Sequence, residues 1–114
     1  AVGSLAVVIL AINNLRDIAG DRASNKKTIA ARIGERGARA EILLFELFAY
    51  AGVTFTAWWS GDWSLLLVFL SSPLAIALFV RVRRSSGRDL NRCLAMAGAL
   101  HWAFSLLFLI GSLL

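Results

Sequence analysis

One cysteine, one proline and one histidine are all that this chain of 114 residues contains of those types. A single Cys93 rules out an intrachain disulfide and says nothing of redox compartment. Its simplest role is that of a small apolar side chain in a helix. With one histidine, His101, and no Cys, His or Asp near it in sequence, neither a Cys/His nor a Ser/His/Asp nucleophilic arrangement can be assembled. A structural hydrogen-bonding role is expected of it instead. No internal repeat occurs, and no glycine-rich phosphate loop follows a strand pattern. Acidic residues are scarce, seven Asp and Glu against twelve Lys and Arg, for a net charge of +5.

That surplus of positive charge would ordinarily suggest nucleic acid or an anionic surface as a partner. Its distribution argues against nucleic acid: seven Lys/Arg lie from Arg16 to Arg39, five from Arg81 to Arg92, and none between Ala40 and Val80. The gaps are apolar. Hydrophobic residues make up 59% of the chain and its mean hydropathy is +0.73, against about 45–50% apolar residues in an ordinary soluble domain. The excess falls in segments 1–15, 42–61, 63–80 and 93–114, of which the last two hold no Asp, Glu, Lys or Arg. About 20 apolar residues rising 1.5 Å each cross a hydrocarbon core of about 30 Å. The last two segments pass that test unaided, and 42–61 passes if Glu46 is tolerated.

An all-α, polytopic transmembrane helix bundle follows, with helices expected at about 1–15, 41–59, 63–80 and 93–113 and a cytoplasmic loop over 16–40. The positive-inside rule sends both basic stretches to the cytoplasm and Ser60-Gly61-Asp62 to the opposite side. Trp58, Trp59 and Trp63 gather at that outer connection, as an interfacial aromatic belt does. Segment 1–15 is short for a span, has no charged region before it and no small-residue cleavage site after it, so a signal peptide explains it poorly. A piece of a longer protein is expected.

Within the 16–40 loop, Thr28 is placed to cap a short helix through Arg32, Gly34 and Gly37 to stop or bend the chain, and Glu35 to pair with Arg39 four residues on. Such a loop can either connect or fold over a site as a lid. Glu46 lies about one turn below the basic loop. A carboxylate in a span is a functional candidate by default, but here reaching the interface or pairing with a basic residue is the simpler expectation. Pro73 predicts a kink in the third helix, with Ser71 and Ser72 available for the freed carbonyl. Ser86-x-x-Asp89 reads as a capping box for the fourth helix, and the arginines before it as orientation charge.

The chemistry concentrates in Asn13-Asn14-Leu15-Arg16-Asp17-Ile18-Ala19-Gly20-Asp21-Arg22. At 3.6 residues per turn, Asp17 and Asp21 share a helix face. Two carboxylates at a membrane edge, flanked by Arg16, Arg22, Lys26 and Lys27, suit a hard divalent cation together with a phosphorylated substrate. An i,i+4 acidic pair is in itself common on solvated helices. The longer string is more restrictive: N-N-L-R-D-I-x-x-D-R, then K-K-T-I-A-A-R-I-G from Lys26 to Gly34. It resembles the second aspartate-rich motif of the UbiA superfamily of intramembrane prenyltransferases, and within it the branch acting on 1,4-dihydroxy-2-naphthoate. The resemblance is strongest over Asn13 to Gly34. Asn25 stands where the family usually has Gly, and Ile29 where it usually has Leu. Asn tolerates left-handed backbone better than most residues, so the first change is compatible with a turn.

The resemblance implies a nine-helix fold of which these are the four C-terminal helices, in a bacterial plasma membrane. It implies Mg²⁺ on Asp17 and Asp21, diphosphate on Arg16, Arg22, Lys26 and Lys27, and support from Asn13 and Asn14. The implied reaction moves a polyprenyl group from its diphosphate to an aromatic acceptor, dihydroxynaphthoate in menaquinone synthesis. A first aspartate-rich motif is expected on N-terminal helices outside these residues, and residues 1–114 by themselves are expected to be inactive. Another aromatic acceptor, such as 4-hydroxybenzoate, homogentisate or a chlorin, is the nearest alternative; a non-catalytic membrane scaffold or small transporter is the more distant one.

Overall fold

A computed structural model describes all residues, 1–114. The chain is helical throughout with no strand: α1 (Val2–Arg16), α2 (Ile18–Ala23), α3 (Ile29–Ser60), a 3₁₀ segment (Trp63–Ser71), α4 (Ser72–Arg84), a 3₁₀ turn (Gly87–Asp89) and α5 (Leu90–Leu113). The fold is an elongated bundle of 50 × 23 × 17 Å. Three stretches are long and apolar enough to cross a membrane, Ile29–Ser60, Trp63–Arg84 and Gly87–Leu113, while α1 is shorter. The protein is an integral membrane protein.

Spacing explains the packing. Leu5, Val8, Ile12 and Leu15 recur every three or four residues on α1 and are buried, the stripe an α-helix must present to a partner. Against α1 and the other helices α3 sets small or branched side chains, Ala38, Ile42, Ala49, Val53 and Ala57, all fully buried. Small residues let helix axes approach closely, which is how helices associate where lipid removes most of the hydrophobic driving force. α5 closes the bundle with Cys93, Ala97, Leu100 and Phe104. Phe104 meets Tyr50 edge to face with ring centroids 5.2 Å apart. Cys93 is a free, buried thiol, as a small core residue should be.

Several boundaries differ from those that hydropathy suggests. The stretch 16–40 is not an open loop: α2 and the first turns of α3 occupy most of it, and only Ser24 to Thr28 connects them. α3 begins at Ile29 rather than near residue 41 because Thr28 caps it, its Oγ1 accepting from Ala31 N at 3.1 Å. Charged residues such as Arg32, Glu35 and Arg39 prolong the helix beyond the apolar part that hydropathy detects. Gly34 interrupts α3 with φ 76° and ψ −179°, a backbone state open to glycine at little cost. Gly37, by contrast, is helical, not a bend.

Pro73 does not kink a continuous helix. The α-helical geometry starts at Ser72, after nine residues of 3₁₀ helix, and Pro73 sits in the first turn of α4, where its missing N–H is one that no carbonyl needs. Ser71 Oγ donates to Val68 O at 2.6 Å across this joint and shares a 2.7 Å hydrogen bond with Tyr50 Oη. The capping box at Ser86 and Asp89 does not form: Ser86 makes no side-chain cap, because a 3₁₀ turn through Gly87 (φ 54°) intervenes before α5. His101 Nδ1 is buried without a hydrogen-bond partner, so the expected structural bond is also absent.

At the far end, Gly61 stops α3 in left-handed geometry (φ 73°), and Asp62 accepts from Ser64 N at 3.2 Å to start the next segment. Trp58, Trp59 and Trp63 are exposed around this corner. Ser64 Oγ donates to Gly111 O at 2.6 Å, drawing α5 so near that a Cβ on Gly111 would lie 2.5 Å from Ser64 O. Gly111→Ala in the full-length protein should therefore cost about 1–3 kcal/mol through overpacking, read as a lower thermal midpoint in detergent. An unchanged midpoint would show that the two segments are not held at this distance.

Candidate functional site

The two aspartates flank a joint. Asp17 ends α1 with φ −99° and ψ 10°, and α2 starts at the next residue. Helical hydrogen bonding nevertheless runs through it, Asp17 N donating to Asn13 O at 3.1 Å and Asp21 N to Asp17 O at 2.8 Å. The i,i+4 relation thus survives the break between helices. Their environments differ: Asp17 is exposed, whereas Asp21 is buried to 9% exposure.

Arg16 grips Asp17 with two parallel bonds, Nε to Oδ1 at 2.9 Å and Nη2 to Oδ2 at 3.1 Å. Its remaining Nη1 donates to Asn91 Oδ1 on α5 at 3.0 Å. Planar two-point contact of this kind is what guanidinium provides and ammonium does not. Arg16 is thereby engaged with Asp17 and α5. The hydrogen bonds from Arg16 hold the Asp17 carboxyl below the usual carboxylate range; burial opposes this, and the charges of Arg16 and Lys26 add to it.

Asp21 faces the connection to α3. Thr28 Oγ1 donates to Asp21 Oδ2 at 3.5 Å, the outer limit for such a bond, and Lys26 N donates to Asp21 O at 2.7 Å. Asn25 takes φ 57° to make that reversal, the left-handed state in which glycine is easiest and Asn is tolerated. Arg22 Nε donates to Ala31 O at 2.9 Å, which docks α2 against α3 just before its break at Gly34. Around this contact Arg22, Lys26, Lys27 and Arg32 line a concavity of about 180 Å³ together with Asn25 and Ala31. Arg32 is the member that motif spacing missed; only the turn at Asn25 and the cap at Thr28 bring it to this group.

Asn13 and Asn14 are half-buried beside the joint, and neither side chain makes a hydrogen bond within the chain. No group of three or more His, Cys, Asp or Glu side chains is close enough to hold a metal ion. Glu46 lies elsewhere. At 4% exposure it neither reaches an interface nor pairs with a basic residue, and its Oε1 has no partner. Its place on the buried side of α3, between Ile42 and Ala49, directs it inward instead of toward the basic end.

The model of the UbiA prenyltransferase family matches residues 1–108. The chain belongs to the UbiA prenyltransferase family. It is 37% identical over 109 residues to the 1,4-dihydroxy-2-naphthoate octaprenyltransferase of Mycobacterium tuberculosis, covering 92% of this chain and 36% of that protein. With the enzyme of the same name from Haemophilus influenzae it shares 32% over 119 residues, covering all of this chain and 38% of that protein. A shorter match to the Escherichia coli enzyme of that name reaches 54% over 39 residues, 34% of this chain and 13% of the relative. The chain therefore spans a little over a third of the first two relatives. No solved structure matches the chain.

Within this UbiA segment, the Arg16–Asp17 contact is open to a direct check. Arg16→Met should return the Asp17 carboxyl toward its ordinary range, followed by NMR of carboxyl-labelled aspartate. Because the folded value is the lower one, the pair stabilises the fold above the ordinary carboxylate range, and that contribution disappears as pH falls through the depressed value. An Asp17 titration unaffected by the substitution would exclude Arg16 as the cause.

Proposed function

We propose that the full protein is an Mg²⁺-dependent polyprenyltransferase that moves a polyprenyl group from its diphosphate to an aromatic acceptor, 1,4-dihydroxy-2-naphthoate in menaquinone synthesis. The observation that carries this reading is the Asn13–Arg22 string, with its two aspartates joined by continuous helical hydrogen bonds and cations massed on the residues that follow. The relatives, named as 1,4-dihydroxy-2-naphthoate octaprenyltransferases, support the choice of acceptor.

The donors suit a hard cation. Asp17 is exposed, and each of its oxygens keeps a lone pair beyond its bond to Arg16; Asp21 Oδ1 accepts no hydrogen bond. Two carboxylates leave most of the shell to substrate phosphate and water, as Mg²⁺ commonly requires. Bound there, the ion would offset charge developing on the departing diphosphate. Arg22, through the N–H groups its bond to Ala31 leaves free, with Lys26, Lys27 and Arg32 would take diphosphate oxygens and offset the negative charge that grows as the C1–O bond breaks and its electron pair leaves with the diphosphate. Arg16 acts through Asp17, holding it ionised and oriented. The allylic carbon then bonds to the electron-rich ring, and for dihydroxynaphthoate the ring carbon sheds its carboxyl group as CO₂. The basic end, on this reading, faces the cytoplasm.

Asp17→Asn and Asp21→Asn in the full-length protein should each retain the folded helical state, by circular dichroism and thermal melting, and lose about 10²-fold or more in prenyl transfer. Near-normal turnover in both variants would sink the assignment. Lys26→Ala should raise KM for the prenyl diphosphate and leave KM for the acceptor nearly unchanged. Equal increases in both constants would remove Lys26 from the diphosphate site.

A further inference from the structure

A second amphipathic site lies between α3 and α4. Leu43, Leu47, Phe69, Ala75, Ile76 and Phe79 border a groove of about 240 Å³. Glu46, Tyr50 and Ser72 also border it, yet almost none of the surface they show it is polar; the Tyr50 hydroxyl is spent on Ser71. Within the bundle formed by these 114 residues the groove opens outward, with Leu47 56% and Ile76 64% exposed. Toward the basic end it runs into a second concavity of about 260 Å³, sharing Leu43 and Phe79 with the first and lined by Arg36, Arg39 and Arg83.

The arginines are not equivalent. Arg39 is committed to the fold, donating to Val82 O at 3.2 Å, Ser85 O at 2.9 Å and Glu35 Oε2 at 3.2 Å. Neither Arg36 nor Arg83 has a carboxylate partner, and neither guanidinium donates a hydrogen bond to the protein; Arg83 lies over the Phe79 ring at 5.6 Å. Two uncommitted guanidinium groups thus stand at the mouth of an apolar slot. From Arg36 to Tyr50 is 14 residues of helix, about 21 Å, close to one leaflet of a bilayer from head group to midplane.

We propose that this groove binds an anionic phospholipid, its phosphate between Arg36 and Arg83 and one acyl chain along the apolar slot. Charge and depth both match that occupant. Basic pockets between membrane helices take anionic head groups, and guanidinium matches phosphate geometrically. A polyprenyl diphosphate has similar amphipathic chemistry, but the groove and α1 lie on different sides of α3. Gly52 marks the side of α3 toward α1, since a Cβ there would meet Ala1 at 3.6 Å. Leu47, five residues earlier at about 100° per residue, is turned about 140° from that side. The groove therefore opens away from α1, the helix that Asp17 ends.

The test is native mass spectrometry of the full-length protein released from vesicles of equal phosphatidylglycerol and phosphatidylcholine. The wild type should retain phosphatidylglycerol in several-fold excess. An Arg36→Gln/Arg83→Gln double variant should lose the preference, and Ile76→Trp, which fills the slot, should lower the amount retained. Equal retention by the wild type and the double variant would overturn the proposal, as would loss of the bound lipid to farnesyl diphosphate added at equal concentration. Inorganic phosphate at that concentration should leave it in place; displacement would show that the arginines bind a free anion and would also overturn it. Should the double variant fail to fold, Arg36→Gln suffices, because its guanidinium holds nothing in the protein, and an unchanged preference in it would count against the site.

Discussion

An interrupted helix leaves backbone groups without intrahelical partners, and each break in this chain finds substitutes within the protein. Side chains supply them. Thr28 closes the start of α3, Asp62 the start of the 3₁₀ segment, and Ser71 the joint before α4. Arginines do the same for carbonyls: Arg22 for Ala31, and Arg39 for both Val82 and Ser85 at the end of α4. Without these contacts the breaks at residues 34 and 71 would leave unsatisfied backbone groups in the bundle, each costly to bury.

The same requirement divides the basic residues into two populations. Arg16, Arg22 and Arg39 are held by particular oxygens and fix α1 to α5, α2 to α3, and α3 to α4. The side chains of Lys26, Lys27, Arg36 and Arg83 make no hydrogen bond or ion pair within the chain. Positive charge at one end of the bundle is thus part scaffold and part uncommitted to the fold. The joint at Asp17 depends on this division, because an ionised, oriented carboxylate beside α2 requires an arginine that is itself anchored to α5.

The apolar interior was easy to read from the sequence, and the basic segment was hard. Hydropathy finds α5 and the Trp63–Arg84 stretch because their cores lack charge altogether. It places the start of α3 about twelve residues too late, since an exposed helix rich in Arg, Glu and Ala carries little hydropathy and is announced only by its Thr28 cap. Pro73 signals an interruption but not its form: whether proline kinks a helix or begins one depends on whether the preceding turns are α or 3₁₀, and packing of Tyr50 on Ser71 and Phe69 enters that choice. Glu46 shows the opposite failure. Its position near a basic loop suggested an ion pair, whereas the rotation of α3 turned it inward.

The sequence by itself determined that this is an all-helical membrane protein and that Asp17 and Asp21 stand four residues apart among cations, since composition, charge asymmetry and motif spacing are properties of the linear chain. Membership of the UbiA prenyltransferase family was legible there too, in the string from Asn13 to Gly34. Tertiary structure alone decided which arginine grips Asp17, that Arg32 joins Arg22, Lys26 and Lys27, and that Arg36 and Arg83 meet across two helices. Those outcomes depend on the rotation of each helix about its axis and on turns at Asp17, Asn25 and Gly34. Rotation is set by how Ala38, Ile42 and Ala49 pack against neighbours distant in sequence, and no local pattern encodes it.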